Sequence, residues 1–140
     1  NLFREKLKIR KVLGTQSILS EKPNYQVMLA RADVMVRMAE LQHLNCARDV
    51  FELASKDQVH DIGARMAIVA QNSYATRVAR DAVRLIVDNA GSSVHLLTDP
   101  LQRISRDVNV VCGHVIQDFE TLAEQHGRSL LGLPPITYMF

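Results

Sequence analysis

Apolar positions recur at steps of three and four through most of this chain, the period of helices packed on one face. From Asn24 to about Ser55 the stripe runs Met28, Ala32, Met35, Ala39, Cys46, Val50 and Leu53, interrupted where Gln42 takes its turn. Nineteen of those 32 residues are apolar, and Tyr25, Leu29, Val36 and Leu44 fall outside the stripe, so this helix wants more than one neighbour. A second helix is predicted from Asp57 or Val59 to Asn89, with Asp57 and Asp61 suited to the positive end of its dipole. Small residues fill its interior (Gly63, Ala64, Ala67, Ala70, Ser73, Ala75, Ala79, Ala82), which lets neighbouring helices approach closely, and Gly91 is available for its left-handed cap. Asp99-Pro100 opens a third helix running to about His126, with Ile104, Val108, Val111, Val115, Phe119 and Leu122 as its stripe. Residues 1–13 also read as helix, entered without a cap, which is expected to be the end of a helix begun upstream. Gly127 to Phe140 is predicted as a tail broken by Pro134-Pro135. The expectation is an all-α protein, a single up-and-down four-helix bundle over residues 1–140.

Composition agrees with that picture and narrows it. Aromatic residues make up 5% and Trp is absent, while the hydrophobic share is 47%, so the core is aliphatic. No stretch approaches the roughly 18 uninterrupted apolar residues of a membrane span. Residues 1–22 hold six basic and two acidic side chains, so the basic excess is local. Lys6, Lys8, Arg10 and Lys11 lack interleaved aromatics and any recognition motif, and read as a solvated face; neither nucleic acid nor membrane is expected as a partner. Cys46 and Cys112 form no CxxC or Cys/His spacing, which points to free buried thiols, no metal and a reducing compartment. No signal peptide is visible, so the cytoplasm is the default location.

The chain lacks GxSxG, a P-loop, HExxH and GxGxxG after a strand. His43, His60 and His126 sit among polar neighbours, and His95 lies in the loop before the third helix. His114 falls close to the apolar stripe beside Gly113. Such a histidine is either a satisfied buried residue or, where a substrate can reach it, an acid/base.

Ala90-Gly91-Ser92-Ser93, then Asp99-Pro100-Leu101-Gln102-Arg103-Ile104-Ser105-Arg106-Asp107, His114, and the closing Gly127-Arg128-Ser129-Leu130-Leu131-Gly132-Leu133-Pro134 carry a resemblance. Together they resemble the C-terminal helical domain of the acyl-CoA dehydrogenase superfamily, closest to its flavin-dependent monooxygenase branch, the oxygenase components of two-component systems. Common acyl-CoA dehydrogenases follow a similar arginine-aspartate pair with a Tyr-Glu-Gly run whose glutamate takes the substrate proton. Here Val115 stands about where that carboxylate would be, and a valine takes no proton.

The resemblance implies an oxidoreductase in which reduced flavin, FMN or FAD, comes from a separate flavin reductase, reacts with oxygen and hydroxylates a small phenolic or other aromatic substrate. It gives His114 the catalytic role beside flavin and substrate. It assigns Gly91, Ser92 and Ser93 to a turn approaching the flavin of a neighbouring subunit, and Arg103 to a phosphate contact. Arg106 and Asp107 are expected to pair structurally, and Lys8, Arg10 and Gln16 fall where the superfamily often contacts flavin phosphate. A homotetramer follows, joined through the doubly apolar segment 24–55. Superfamily members are several-fold longer, so the chain is expected to be a C-terminal fragment, inactive as a hydroxylase by itself. A dehydrogenase with a relocated base and a purely structural oligomerisation module remain as alternatives.

Overall fold

The computed structural model describes residues 2–137; Asn1 and the end of the predicted tail, residues 138–140, lie outside them. The described residues form five helices and no strand: α1 (Leu2–Ile9), α2 (Pro23–Ser55), α3 (Ile62–Asn89), α4 (Pro100–Cys112) and α5 (Phe119–Leu130). At 1.5 Å per residue, α2 is roughly 50 Å long and α3 about 40 Å. The two form the long antiparallel pair of the bundle, and α4 and α5 each pack against α3.

The buried stripe of α2 is Met28, Ala32, Ala39 and Cys46, as the spacing predicts. Val50 departs from it and is 53% exposed. The buried face of α3 is Met66, Ile68, Ala70, Ser73, Ala75, Thr76 and Ala82, so small side chains let α2, α4 and α5 share this helix.

Capping chemistry sets the connections, and it corrects several predicted boundaries. The α2–α3 turn closes on Asp57 at φ 55°, with Gln58 N–H donating to Leu53 O at 2.8 Å. Asp57 therefore ends the turn after α2, and Asp61 alone caps α3, accepting from Ala64 N–H at 2.9 Å. The predicted helix 1–13 stops at Ile9, because Gly14 at φ 75° turns the chain back and Lys11 bridges to Ile18. Leu13 is left 99% exposed at that turn.

The third predicted helix is two helices. After Cys112 the chain passes through Gly113 and an extended His114 into a single 3-10 turn, Val115–Gln117, before Asp118 starts α5. The apolar stripe continues across this joint, which is why periodicity alone reads it as unbroken. Only Leu101 of α4 is buried, while Ile104 and Val111 are 42% and 49% exposed. The proline pair does follow the last helix, but α5 runs through Gly127 to Leu130, so the tail begins later than predicted.

The N-terminal segment closes one end of the bundle. Phe3 and Leu7 of α1 join Leu19, Met28, Ala90, Val94 and Leu101 in one buried cluster. Leu101→Ala removes a side chain that is 6% exposed at its centre. We expect a loss of about 2–4 kcal/mol in chemical denaturation, the usual cost of a buried leucine truncation; a loss well below 1 kcal/mol would show that α1 does not hold this end.

Candidate functional site

The residues singled out by sequence fall into two groups at opposite ends of α4. With 13 residues in α4, the helix rise sets the two groups roughly 20 Å apart.

At the first end, Gly91 follows α3 at φ 77°, a conformation that favours glycine. Arg10 lies directly over it and donates to Ala90 O, so a Cβ at Gly91 would come within 2.7 Å of the guanidinium. Ser92 and Ser93 begin a 3-10 turn with both residues exposed. Arg10, Ser92 and Ser93 bring one guanidinium and two hydroxyls to this turn, groups whose chemistry suits a phosphate. Lys8 instead pairs with Glu5 at 3.0 Å, and Gln16 accepts from Lys11 at 2.5 Å.

Below this turn Asp99 caps α4 by accepting from Leu101 N–H at 3.0 Å, and it pairs with Lys6 of α1. The Lys6 ammonium, and then the Leu101 N–H, hold its carboxyl below the ordinary value of 3.8. On the exposed side of α4, Arg103 pairs with Asp107 at 3.4 Å and Arg106 pairs with the same carboxylate at 3.1 Å. Arg106 thus pairs with Asp107, and both side chains are more than half exposed. Arg103 is 77% exposed, on α4 beyond the turn that carries Gly91.

At the second end, His114 stands at the joint between α4 and α5, exposed, and not along a continuous helix stripe as predicted. Its Nδ1 accepts from Ile116 N–H at 3.3 Å, which capping leaves Nε2 as the other ring nitrogen. Val110, Val111, Val115 and Ile116 around it are 68%, 49%, 66% and 58% exposed. An imidazole among apolar side chains is the arrangement for proton transfer in a water-poor site, provided that something covers it.

Sequence reasoning missed what holds this joint. Ser73 Oγ donates to Gln117 O at 2.7 Å, and Cys112 Sγ lies 3.7 Å from Thr76 O. Cys46 is buried as expected but Cys112 is only half-buried; its burial against α3 pushes the thiol up, away from the thiolate form that a nucleophile needs. Phe119 packs on Tyr74 with ring centroids 5.1 Å apart and beneath the Arg77 guanidinium at 5.4 Å. Arg77 pairs with Glu120 at 2.7 Å. The small-residue pattern of α3 announces a close neighbour, but nothing in it marks Ser73 as the donor. Both cysteines are free, and no group of three His, Cys, Asp or Glu that could hold a metal occurs among the described residues. No helix among them is long and apolar enough to cross a membrane.

An all-helical bundle with a glycine turn at one end and an imidazole joint at the other defines the class. Residues 1–119 match the family described as acyl-CoA dehydrogenase, C-terminal domain, and the chain belongs to that family. It is 28% identical over 133 residues to the "FADH(2)-dependent resorcinol hydroxylase, oxygenase component" of Rhizobium sp., covering 89% of this chain and 31% of that protein. It is 27% identical over 110 residues to the "p-hydroxyphenylacetate 3-hydroxylase, oxygenase component" of Acinetobacter baumannii, covering 72% of this chain and 26% of that one. The chain therefore spans about a third or less of the length of these relatives. Its fold superposes on XiaF from Streptomyces sp., solved in complex with FADH2 and glycerol, with a TM-score of 0.81 at 23% identity, over 97% of this chain and 35% of that one.

The Lys6–Asp99 pair predicts a pH dependence. A carboxyl held below its ordinary value adds stability above that value, and the contribution is lost as pH falls through the lower folded-state value. Asp99→Asn keeps a capping side chain and removes the charge. The stability gap between wild type and variant, read from denaturation midpoints, should be full at neutral pH and shrink on acidification below the ordinary value of 3.8. An equal gap at every pH would show that the pair contributes nothing.

Proposed function

We propose that this chain is the C-terminal domain of the oxygenase component of a two-component flavin-dependent monooxygenase. The whole protein is a longer flavoprotein that hydroxylates a small phenolic or other aromatic substrate. A separate reductase supplies the reduced flavin, FMN or FAD. The observation that carries this is the joint itself: His114 exposed and flanked along the chain by the exposed Val110, Val111, Val115 and Ile116; by the family resemblance, Val115 stands about where dehydrogenases carry their carboxylate. The relatives' names support the same activity, and FADH2 is the form named for two of the three proteins. Cys46 and Cys112 as free thiols suit a cytoplasmic protein.

When bound, the reduced flavin supplies the electrons that activate oxygen. The residues of this chain do the rest of its share. Arg10, Ser92 and Ser93 bind flavin phosphate over Gly91, with Arg103 as a further cation on α4. His114 takes the phenolic proton and orients the substrate hydroxyl, and Val110, Val111, Val115 and Ile116 exclude water once the other domains cover them. The test is His114→Asn in the full-length protein, given oxygen and reduced flavin. Product per flavin oxidised should fall by roughly tenfold or more, with hydrogen peroxide in its place. Unchanged rate and yield would remove His114 from the chemistry, and turnover of an acyl thioester with an electron acceptor would replace the hydroxylase reading with the dehydrogenase one.

The Gly91 turn and His114 lie at opposite ends of α4, which suits a homotetramer in which the Gly91 turn of one subunit reaches the flavin beside another subunit's His114. The apolar stripe of α2, Val27, Val34, Met38 and Leu41 at 67%, 54%, 62% and 61% exposed, is the surface that would join the subunits. Light scattering at micromolar concentration should give a tetramer of the full-length protein, and Met38→Glu with Leu41→Glu should dissociate it. A stable wild-type monomer would overturn this assembly.

A further inference from the structure

His114 is held by almost nothing on its own side of the joint. Gly113, His114, Val115 and Ile116 are all exposed, and among the described residues the imidazole's one bond is to the backbone two residues on. What fixes the joint comes from one face of α3, where Ser73, Thr76 and Arg77 follow the i, i+3, i+4 spacing that aligns side chains. Thr76 O receives Cys112 before the joint, and Arg77 holds Phe119 and Glu120 after it. Ser73 acts on the joint itself: its hydroxyl, in a residue 2% exposed, donates to the carbonyl of Gln117, the last residue of the 3-10 turn. Gln117 N–H in turn donates to His114 O at 2.8 Å, closing the turn.

We propose that Ser73 is a positioning residue for the His114 site, setting the orientation of the imidazole through the Val115–Gln117 turn. This rests on the hydroxylase reading above. A serine in the middle of a helix interior is otherwise better replaced by alanine, because its hydroxyl competes for backbone bonds. Here the hydroxyl leaves its own helix and satisfies a carbonyl of the joint. Removing it leaves Gln117 O without that donor and frees the turn, and a displacement of the order of 1 Å at a reacting group costs up to about a hundredfold in rate.

The test uses the full-length protein with Ser73→Ala, Ser73→Thr and His114→Asn. Ser73 lines a half-open pocket of about 130 Å³, and threonine in its place retains the hydroxyl donor. Hydrogen exchange of the peptide spanning residues 113–118 reads the joint without turnover, and product against peroxide reads the chemistry. Ser73→Ala should speed exchange in that peptide severalfold and cut product per flavin oxidised by about tenfold, with KM for the aromatic substrate little changed; Ser73→Thr should restore both. If Ser73→Ala leaves yield intact while His114→Asn lowers it, the positioning role is overturned and the His114 reading stands. If His114→Asn has no effect on yield, the His114 reading falls, and the positioning role falls with it even where exchange is faster. Should Ser73→Ala fail to fold, Arg77→Met loosens the other side of the joint from a half-exposed position, and faster exchange there with unchanged yield overturns the proposal equally.

Discussion

The constraint on which this bundle depends is the narrowness of α3. Its buried face is mostly alanine, serine and threonine, so helix axes can approach it on several sides at once, and α2, α4 and α5 all do. A leucine-rich α3 would hold its neighbours further off and leave Ser73 short of the Gln117 carbonyl, because a hydroxyl on one carbon reaches only a backbone already in contact. Close approach therefore does two things: it packs the core, and it allows backbone-directed bonds from side chains to fix a segment that has no core of its own.

Burial is uneven as a result. One end is a conventional core, with α1 laid over the α3–α4 turn through Phe3, Leu7 and Leu101. The other end is fastened by polar and aromatic contacts, and Val110, Val111, Val115 and Ile116 of its joint face outward. On the proposed reading, the other domains of the full-length protein complete the wall over this patch. The second apolar stripe of α2, proposed as the subunit contact, lies roughly 125° around the helix from the buried one at 100° per residue.

Much of this was legible in the sequence, for identifiable reasons. The stripe of α2 and the small residues of α3 reflect a strict 3.6-residue period, and Asp99-Pro100 and Asp61 are caps whose chemistry is local. The joint was not legible by the same means, since Val111, Val115, Phe119 and Leu122 keep helical spacing across it. The signal that could have found it is Gly113-His114 followed by Asp118, a weak helix segment and then an N-cap residue. Asp57 misled for a related reason: an acid before a helix suggests a cap, but here it takes the left-handed turn position usually given to glycine. The donor from Ser73 lies 44 residues away in sequence, beyond any local pattern.

Arg10 shows how a group proposed to bind phosphate can be part of the fold. Long cationic side chains are among the most mobile on a protein surface, and immobilising one typically costs about 0.5–1.5 kcal/mol of binding. Arg10 has surrendered that freedom in folding, rooted on Ala90 O above Gly91, while a guanidinium has five N–H donors to offer. An anion arriving at the turn meets a cation whose entropy is already spent, so attraction there translates into affinity with less lost to ordering.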